Sequence, residues 1–278
     1  MNRSYEGFRI LLVHAHPDDE TINNGATMAL YADRGAHVTL VTCTRGEEGE
    51  VLVPSLSHLA SSQKDQLGTH RETELADAMK ALGISDYRFL GAPSVKFRDS
   101  GMMGTEPNNR PDVFWQADVD AASNIMAKII DEIKPHILIT YDEIGGYGHP
   151  DHIQVHRVGH RAADIAIANG RNIRVLESTM NRTRIAQMME QMGGGDFDPE
   201  APADDGNPFG TLQEEITMAV DVSEFVQVKR ASIMCHASQV TDSSMFLQMP
   251  PEVFAVAFGE EFFIEVGQPG GAPRGWFM

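Results

Sequence analysis

The sequence predicts an α/β protein built on a mostly parallel sheet with helices packed against it. Three observations predict this. Short apolar runs rich in β-branched residues alternate with longer helical patterns through the first half of the chain, as in successive βαβ units. Those runs are continuous rather than alternating, the pattern of strands covered on both faces. Two of them, at 11–13 and 136–141, end abruptly in charged clusters of similar composition, LLVHAHPDDE and HILITYDEIGGYGHPDH. The first 175 residues read as the core carrying those clusters. Residues 176–278 read as a smaller C-terminal α/β subdomain that completes the pocket, or as a continuation of one domain.

Residues 8–16 form the first predicted strand, and Pro17 cannot continue it. A helix follows over 18–34, with Ala26, Met28, Ala29, Leu30 and Tyr31 on its apolar side and Gly35 as its stop. HVTLVTCT at 37–44 is the second strand, and the acidic loop GEEGE at 46–50 leaves its C-terminal end. A long helix is predicted over 62–82, closed by Gly83. Arg71 within it has Glu72 and Glu74 as the carboxylates nearest in sequence. A strand at 86–90, a two-glycine loop at 94–105, a helix at 118–134 and a strong strand at 136–142 come next. The second charged cluster then opens another helix. Beyond it come a strand at 171–177, a helix at 179–192 and a Gly-, Pro- and Asp-rich loop at 193–210. ITMAVDV at 216–222 alternates like an edge strand. A helix over 223–236 and a last strand over 261–267 complete the chain.

Composition narrows the function. The formal net charge is −18, which argues against nucleic acid or an anionic membrane as partner, since both need a basic footprint. Two cysteines, Cys43 and Cys235, make no disulfide framework, and the N-terminus carries no apolar signal region. A cytoplasmic protein is the expectation. The first βα turn holds HPDDE where a dinucleotide fold needs GxGxxG, which excludes a nucleotide-binding dehydrogenase.

The chemistry lies in the two clusters. His14, His16, Asp18, Asp19 and Glu20 stand within seven positions directly after a core strand. At the C-terminal edge of an open α/β sheet, where ligands bind, they also gain from a helix N-terminus. A lone histidine or a solvated aspartate is ordinary; one imidazole with two carboxylates makes part of a divalent metal site that lacks a ligand. The second cluster supplies it. His149 and His152 are three apart and share a helix face. His152, nearest the strand end, is the natural third ligand. His156 and His160, further along, read as a packed face or as support for the ligands.

HAHPDDE at 14–20 and GGYGHPDH at 145–152 together resemble the LmbE-like, or PIG-L, family of zinc-dependent sugar N-deacetylases. TCTRGEEGEV at 42–51, RDSGMMGT at 98–105 and HASQV at 236–240 extend the likeness toward its mycothiol-pathway branch. The resemblance covers about residues 8–160 and resumes near 236. It implies a Rossmann-like core and metal-dependent hydrolysis of the acetamide of N-acetylglucosaminyl-inositol, a small-molecule amino-sugar substrate. Amidase action on mycothiol S-conjugates, or deacetylation of another N-acetylglucosamine compound, is the alternative. It implies zinc ligands at His16, Asp19 and His152, with Fe2+ equally compatible with two histidines and a carboxylate. Asp18 takes the general-base position. Tyr147 polarises the amide carbonyl, and His149, partnered by Asp151, stabilises charge at the reacting centre. Arg71, Asp99, Glu50 and Met102 fall on the substrate-binding side, with Arg71 and Asp99 holding sugar and inositol hydroxyls. A phenol and an imidazolium would serve as donors to the oxyanion. The loop-rich segment 171–222 leaves the outer pocket and a possible homo-oligomer contact to the structure.

Overall fold

A computed structural model describes residues 3–191, 201–202, 206–241, 243–271 and 275–277. The expected loop at 193–210 therefore lies largely outside the described residues. Seven strands form one sheet in the order β3-β2-β1-β4-β5-β7-β6. They are β1 (Arg9–His14), β2 (His37–Thr42), β3 (Asp86–Phe89), β4 (Ile137–Tyr141), β5 (Arg174–Thr179), β6 (Met218–Asp221) and β7 (Glu260–Glu265). The first five run parallel; β7 pairs antiparallel with both β5 and β6. The chain is thus an α/β protein on a mostly parallel sheet. Residues on both sides of position 175 contribute strands to this sheet.

Eight helices surround it among the described residues: α1 (Asp19–Asp33), α2 (Leu67–Leu82), α3 (Val119–Ile133), α4 (Pro150–Ala168), α5 (Arg182–Gln191), α6 (Val226–Cys235), α7 (Met245–Gln248) and α8 (Pro251–Phe258). Alternate residues of β1 explain why both faces are apolar. Ile10 and Leu12 join the core formed with α1 and α2, including Met28, Leu30, Leu75 and Met79. Leu11 and Val13 join the opposite core, with Ile130 of α3 and Val155 and Val158 of α4. None of the described helices is long and apolar enough to cross a membrane.

Some elements differ from expectation. The helix predicted from residue 62 starts at Leu67, because Asp65 sits at φ 53° and residues 54–59 form a 3-10 turn instead. α8 was not anticipated; its run 253–258 is apolar all round, so it offers no amphipathic period to read. The edge position of β6 matches its alternation. Lys229 of α6 and Glu261 of β7 form a buried pair at 2.6 Å. Glu261 also accepts the backbone N–H groups of Ala26 and Thr27, tying the last strand to α1.

The sheet order sets the site. Strand order runs 3-2-1 and then jumps to 4-5, so the direction of winding reverses between β1 and β4. That reversal opens a crevice beyond the carboxyl ends of the two strands. Both charged clusters emerge there, since β1 and β4 are hydrogen-bonded neighbours.

Candidate active site

The two strand ends cap their helices differently. In the second motif Pro150 is the first residue of α4, and the His149 ring accepts the Asp151 N–H at 3.1 Å. In the first motif Pro17 precedes the cap and Asp18 takes the N-cap position without capping through its side chain. The Asp18 backbone stands at φ 123°, a strained region for a non-glycine residue. Three groups hold it there. Its N–H donates to Glu20 Oε2 at 3.0 Å, and its carbonyl accepts the Thr21 hydroxyl at 2.8 Å. Its carboxylate lies 3.0 Å from Arg71 Nη2. Glu20 is itself fixed by His236 at 3.0 Å, with both side chains fully buried. The HASQV segment therefore clamps the motif from behind; its Ser238 also donates twice to Glu74.

The expected ligand atoms converge. Asp19 Oδ2 lies 3.2 Å from His16 Nδ1 and 3.3 Å from His152 Nε2. Ligands at 2.0–2.2 Å from a tetrahedral zinc are about 3.3 Å apart, so these separations match. His152 Nδ1 faces the Gly145 carbonyl at 3.1 Å, which fixes the proton on Nδ1. The buried Nε2 makes no hydrogen bond, and its lone pair points toward a carboxylate oxygen. A divalent cation between those two groups would satisfy both. Gly145 permits this approach: at φ 67°, a Cβ there would lie 2.6 Å from the His152 Cβ. On its other side His16 presents Nε2 to Asp151 Oδ2 at 3.2 Å, the carboxylate–histidine pairing that orients metal ligands. Ligand atoms of His16, His149 and His152 also lie within 4.8 Å of one another. His149 is nevertheless the weaker third ligand, because its Nδ1 is committed to the helix cap.

Charge in the site follows from burial and neighbours. Burial pushes the Asp18 carboxyl up to about 6, against the opposing pull of Arg71 and with a further push from Asp19. For Asp19, burial works against ionisation, yet the imidazoles of His152 and His16 hold its carboxyl well below the usual range. Burial also opposes charge on His16, but Asp99, Asp151 and Asp19 around it keep it well above its ordinary value. Burial, with the charges of His16 and His152, lowers His149 to about 2. Burial, with the nearby Asp19 charge, pushes the Tyr147 phenol up, so it remains a donor.

Several side chains take partners other than those nearest in sequence. His149 offers Nδ1 as an acceptor, and burial with the neighbouring imidazoles opposes a second proton on its ring. Asp151 meets it only through its backbone N–H; its carboxylate accepts from Ser100 and faces His16. Arg71 pairs with neither Glu72 nor Glu74. It is buried against Asp18, the Pro17 carbonyl and the Gly46 carbonyl, and a Cβ at Gly46 would collide with it. Asp99 is equally enclosed, its two oxygens accepting Glu48 N–H at 3.1 Å and Gly101 N–H at 2.8 Å. Arg71 and Asp99 are thus anchored by the protein's own groups, while Arg71 Nε makes no hydrogen bond. Asp99 also stitches the GEEGE loop to the 98–105 loop, helped by Glu47, which accepts the Asp99 N–H. Glu50 and Met102 on those two loops are exposed.

Sequence reasoning passed over Tyr141 and Ser100. Tyr141 read as an apolar strand residue, but its ring stacks on His152 at 4.3 Å and its hydroxyl meets His14 Nδ1 at 3.0 Å. An aromatic closing a strand just before a histidine cluster was the available signal.

A Rossmann-like sheet whose switch point gathers two imidazoles, a carboxylate and a separate strained aspartate defines a metal-dependent hydrolase type of site. Comparison with known proteins gives the particular family. Residues 11–163 match the family model for PIG-L, described as GlcNAc-PI de-N-acetylase. The chain belongs to the PIG-L family. A protein from Acidothermus cellulolyticus, named 1D-myo-inositol 2-acetamido-2-deoxy-alpha-D-glucopyranoside deacetylase, is 47% identical over 260 residues. The match covers 92% of this chain and 87% of that protein. A protein of the same name from Geodermatophilus obscurus is 45% identical over 280 residues, covering 96% and 95%. Among solved structures, the N,N'-diacetylchitobiose deacetylase from Pyrococcus horikoshii shares the fold with a TM-score of 0.59. It is 18% identical, and 94% of this chain and 84% of that one are covered.

Proposed function

We propose that this chain is a metal-dependent N-deacetylase that hydrolyses the acetamide of N-acetylglucosaminyl-inositol, releasing the free amine and acetate. The observation that carries the reading is the 47% identity, over 92% of the chain, to a relative bearing that substrate in its name. The ligands are His16, Asp19 and His152, and the metal is zinc, with ferrous iron suited to the same donor set. When bound, the ion polarises the amide carbonyl and acidifies the attacking water.

The remaining work belongs to side chains. Asp18 takes the water's proton and returns it to the leaving amine; a carboxyl raised to about 6 suits both directions near neutrality. With no capping bond of its own, its carboxylate is directed, among the described residues, by Arg71. Tyr147 donates its phenol proton to the carbonyl oxygen as charge develops there. His149 carries its proton on Nε2, because Nδ1 accepts the Asp151 N–H, and so serves as a second neutral donor. Asp151 orients His16. Arg71, Asp99, Glu50 and Met102 form the substrate-binding side, with Arg71 and Asp99 holding sugar and inositol hydroxyls and also fixing the loops that carry the other two.

A substrate panel with detection of released amine tests the reading. N-acetylglucosaminyl-inositol should give the highest kcat/KM, above free N-acetylglucosamine, because a site built for the second ring discriminates against its loss. Faster turnover of a mycothiol conjugate would move the assignment to an amidase. Indifference to the inositol ring would remove the proposed role of the two loops.

A further inference from the structure

A second set of metal-binding groups stands one turn along α4 from His152. His156 and His160 are four apart on the helix, so they share a face, and their ring centroids lie 4.1 Å apart. Glu177 of β5 meets both from the sheet. Its Oε1 is 2.9 Å from His160 Nε2 and 3.5 Å from His156 Nδ1. One ligand atom from each of the three lies within 4.8 Å of the others. The hydrolysis uses none of them.

Four features separate this group from an ordinary surface ion pair. Among the described residues, Glu177 has no Lys or Arg partner; its ion pairs are the two histidines. Asp142 adds negative charge nearby, its carboxyl raised by burial and then by Glu177. His156 Nδ1 lies 2.9 Å from the Tyr141 carbonyl, an acceptor only, so the proton sits on Nδ1 and the nitrogen open to an ion is Nε2, not the Nδ1 that makes the 3.5 Å contact with Glu177. A backbone carbonyl holding the far nitrogen is the usual support of a ligating histidine. His160 Nε2 is buried as an atom and makes no hydrogen bond despite its closeness to Glu177. The three residues are nonetheless half-buried as wholes, so an ion reaches them from solvent.

We propose that His156, His160 and Glu177 bind a second divalent transition-metal ion, of the zinc, cobalt or nickel class. Two imidazole nitrogens and one carboxylate suit those ions and disfavour calcium and magnesium, which take oxygen donors. The site is separate from the hydrolytic one. Tyr141 joins them, its carbonyl holding His156 and its ring stacking on His152.

The test is metal stoichiometry by equilibrium dialysis of the stripped full chain against zinc and against cobalt(II). The wild-type chain should bind two ions. His160→Gln and Glu177→Gln should each bind one and deacetylate at the wild-type rate. His152→Ala should also bind one, and His152→Ala combined with Glu177→Gln none. Two ions retained by both His160→Gln and Glu177→Gln, or a single ion in the wild type, would overturn the second site. Two ions in His152→Ala would instead count against the hydrolytic ligand set and leave the second site standing. Circular dichroism confirms folding. Glu177→Gln, which keeps shape and polarity, covers the case in which a histidine variant does not fold.

Discussion

Glu20 gives the sharpest test of how this site is held. The residue touches neither the expected ligands' nitrogens nor the substrate side, yet its Oε2 accepts the Asp18 N–H at 3.0 Å. That bond helps keep Asp18 at φ 123°, a conformation costing on the order of 1–3 kcal/mol. A hydrogen bond to a charged acceptor contributes about 1.5–3 kcal/mol, comparable to the strain. In Glu20→Ala the strain is no longer offset, and Asp18 relaxes away from the attacking water. If the whole of that bond is lost at the transition state, kcat falls by roughly 10- to 150-fold, at 1.36 kcal/mol per decade. The same change strands buried His236, so global stability should fall by about 3–5 kcal/mol, as for one-sided removal from a buried pair. Glu20→Gln separates the two effects. Its single oxygen still accepts from Asp18, and its amide still donates to a neutral His236. It should therefore recover most of the rate and most of the stability. Steady-state amine release, metal content after dialysis and urea unfolding are the measurements. Metal loss in parallel with rate loss would show that Glu20 acts on the ligands instead. A full wild-type rate in Glu20→Ala would refute the strained-aspartate argument altogether.

Three further outcomes are expected. Asp18→Ala should keep its metal and lose rate by about 10²-fold or more, whereas Asp19→Ala should lose the metal; the reverse pattern exchanges their roles. Asp151→Asn should lower metal affinity by roughly 10- to 100-fold through His16, measurable by competition with a chelator. His236 is lowered by burial but raised more strongly by Glu20, and ends above its ordinary 6.5. A raised folded value means its stabilisation is complete below pH 6.5 and fades as pH rises through the folded value. Urea midpoints should thus fall with rising pH above 6.5 in the wild type and less so in His236→Asn; identical pH profiles would contradict the pairing.

The sequence alone determined the strand–helix alternation, the parallel sheet and the two clusters, because these depend on local quantities. Buried parallel strands must be continuously apolar, and a strand ending in His-Pro-Asp must break there. Motif spacing also set His16 and the adjacent aspartates beside His152 as candidate ligands, and the family resemblance singled out Asp19 among the aspartates. What only the tertiary structure decided is which partner each polar group takes. Arg71 has Glu74 one turn along its own helix, yet the fold buries it against Asp18 and the Gly46 carbonyl. Asp151 adjoins His149 in sequence but sends its carboxylate to His16 and Ser100. Glu20 and His236 are 216 positions apart and meet at 3.0 Å. Glu177 and the α4 histidines belong to separate elements that only the β4–β5 pairing brings side by side. The physical reason is common to all four. A buried charge must find a partner wherever packing places one, and packing is a property of the whole sheet, whereas periodicity is a property of a few residues in a row.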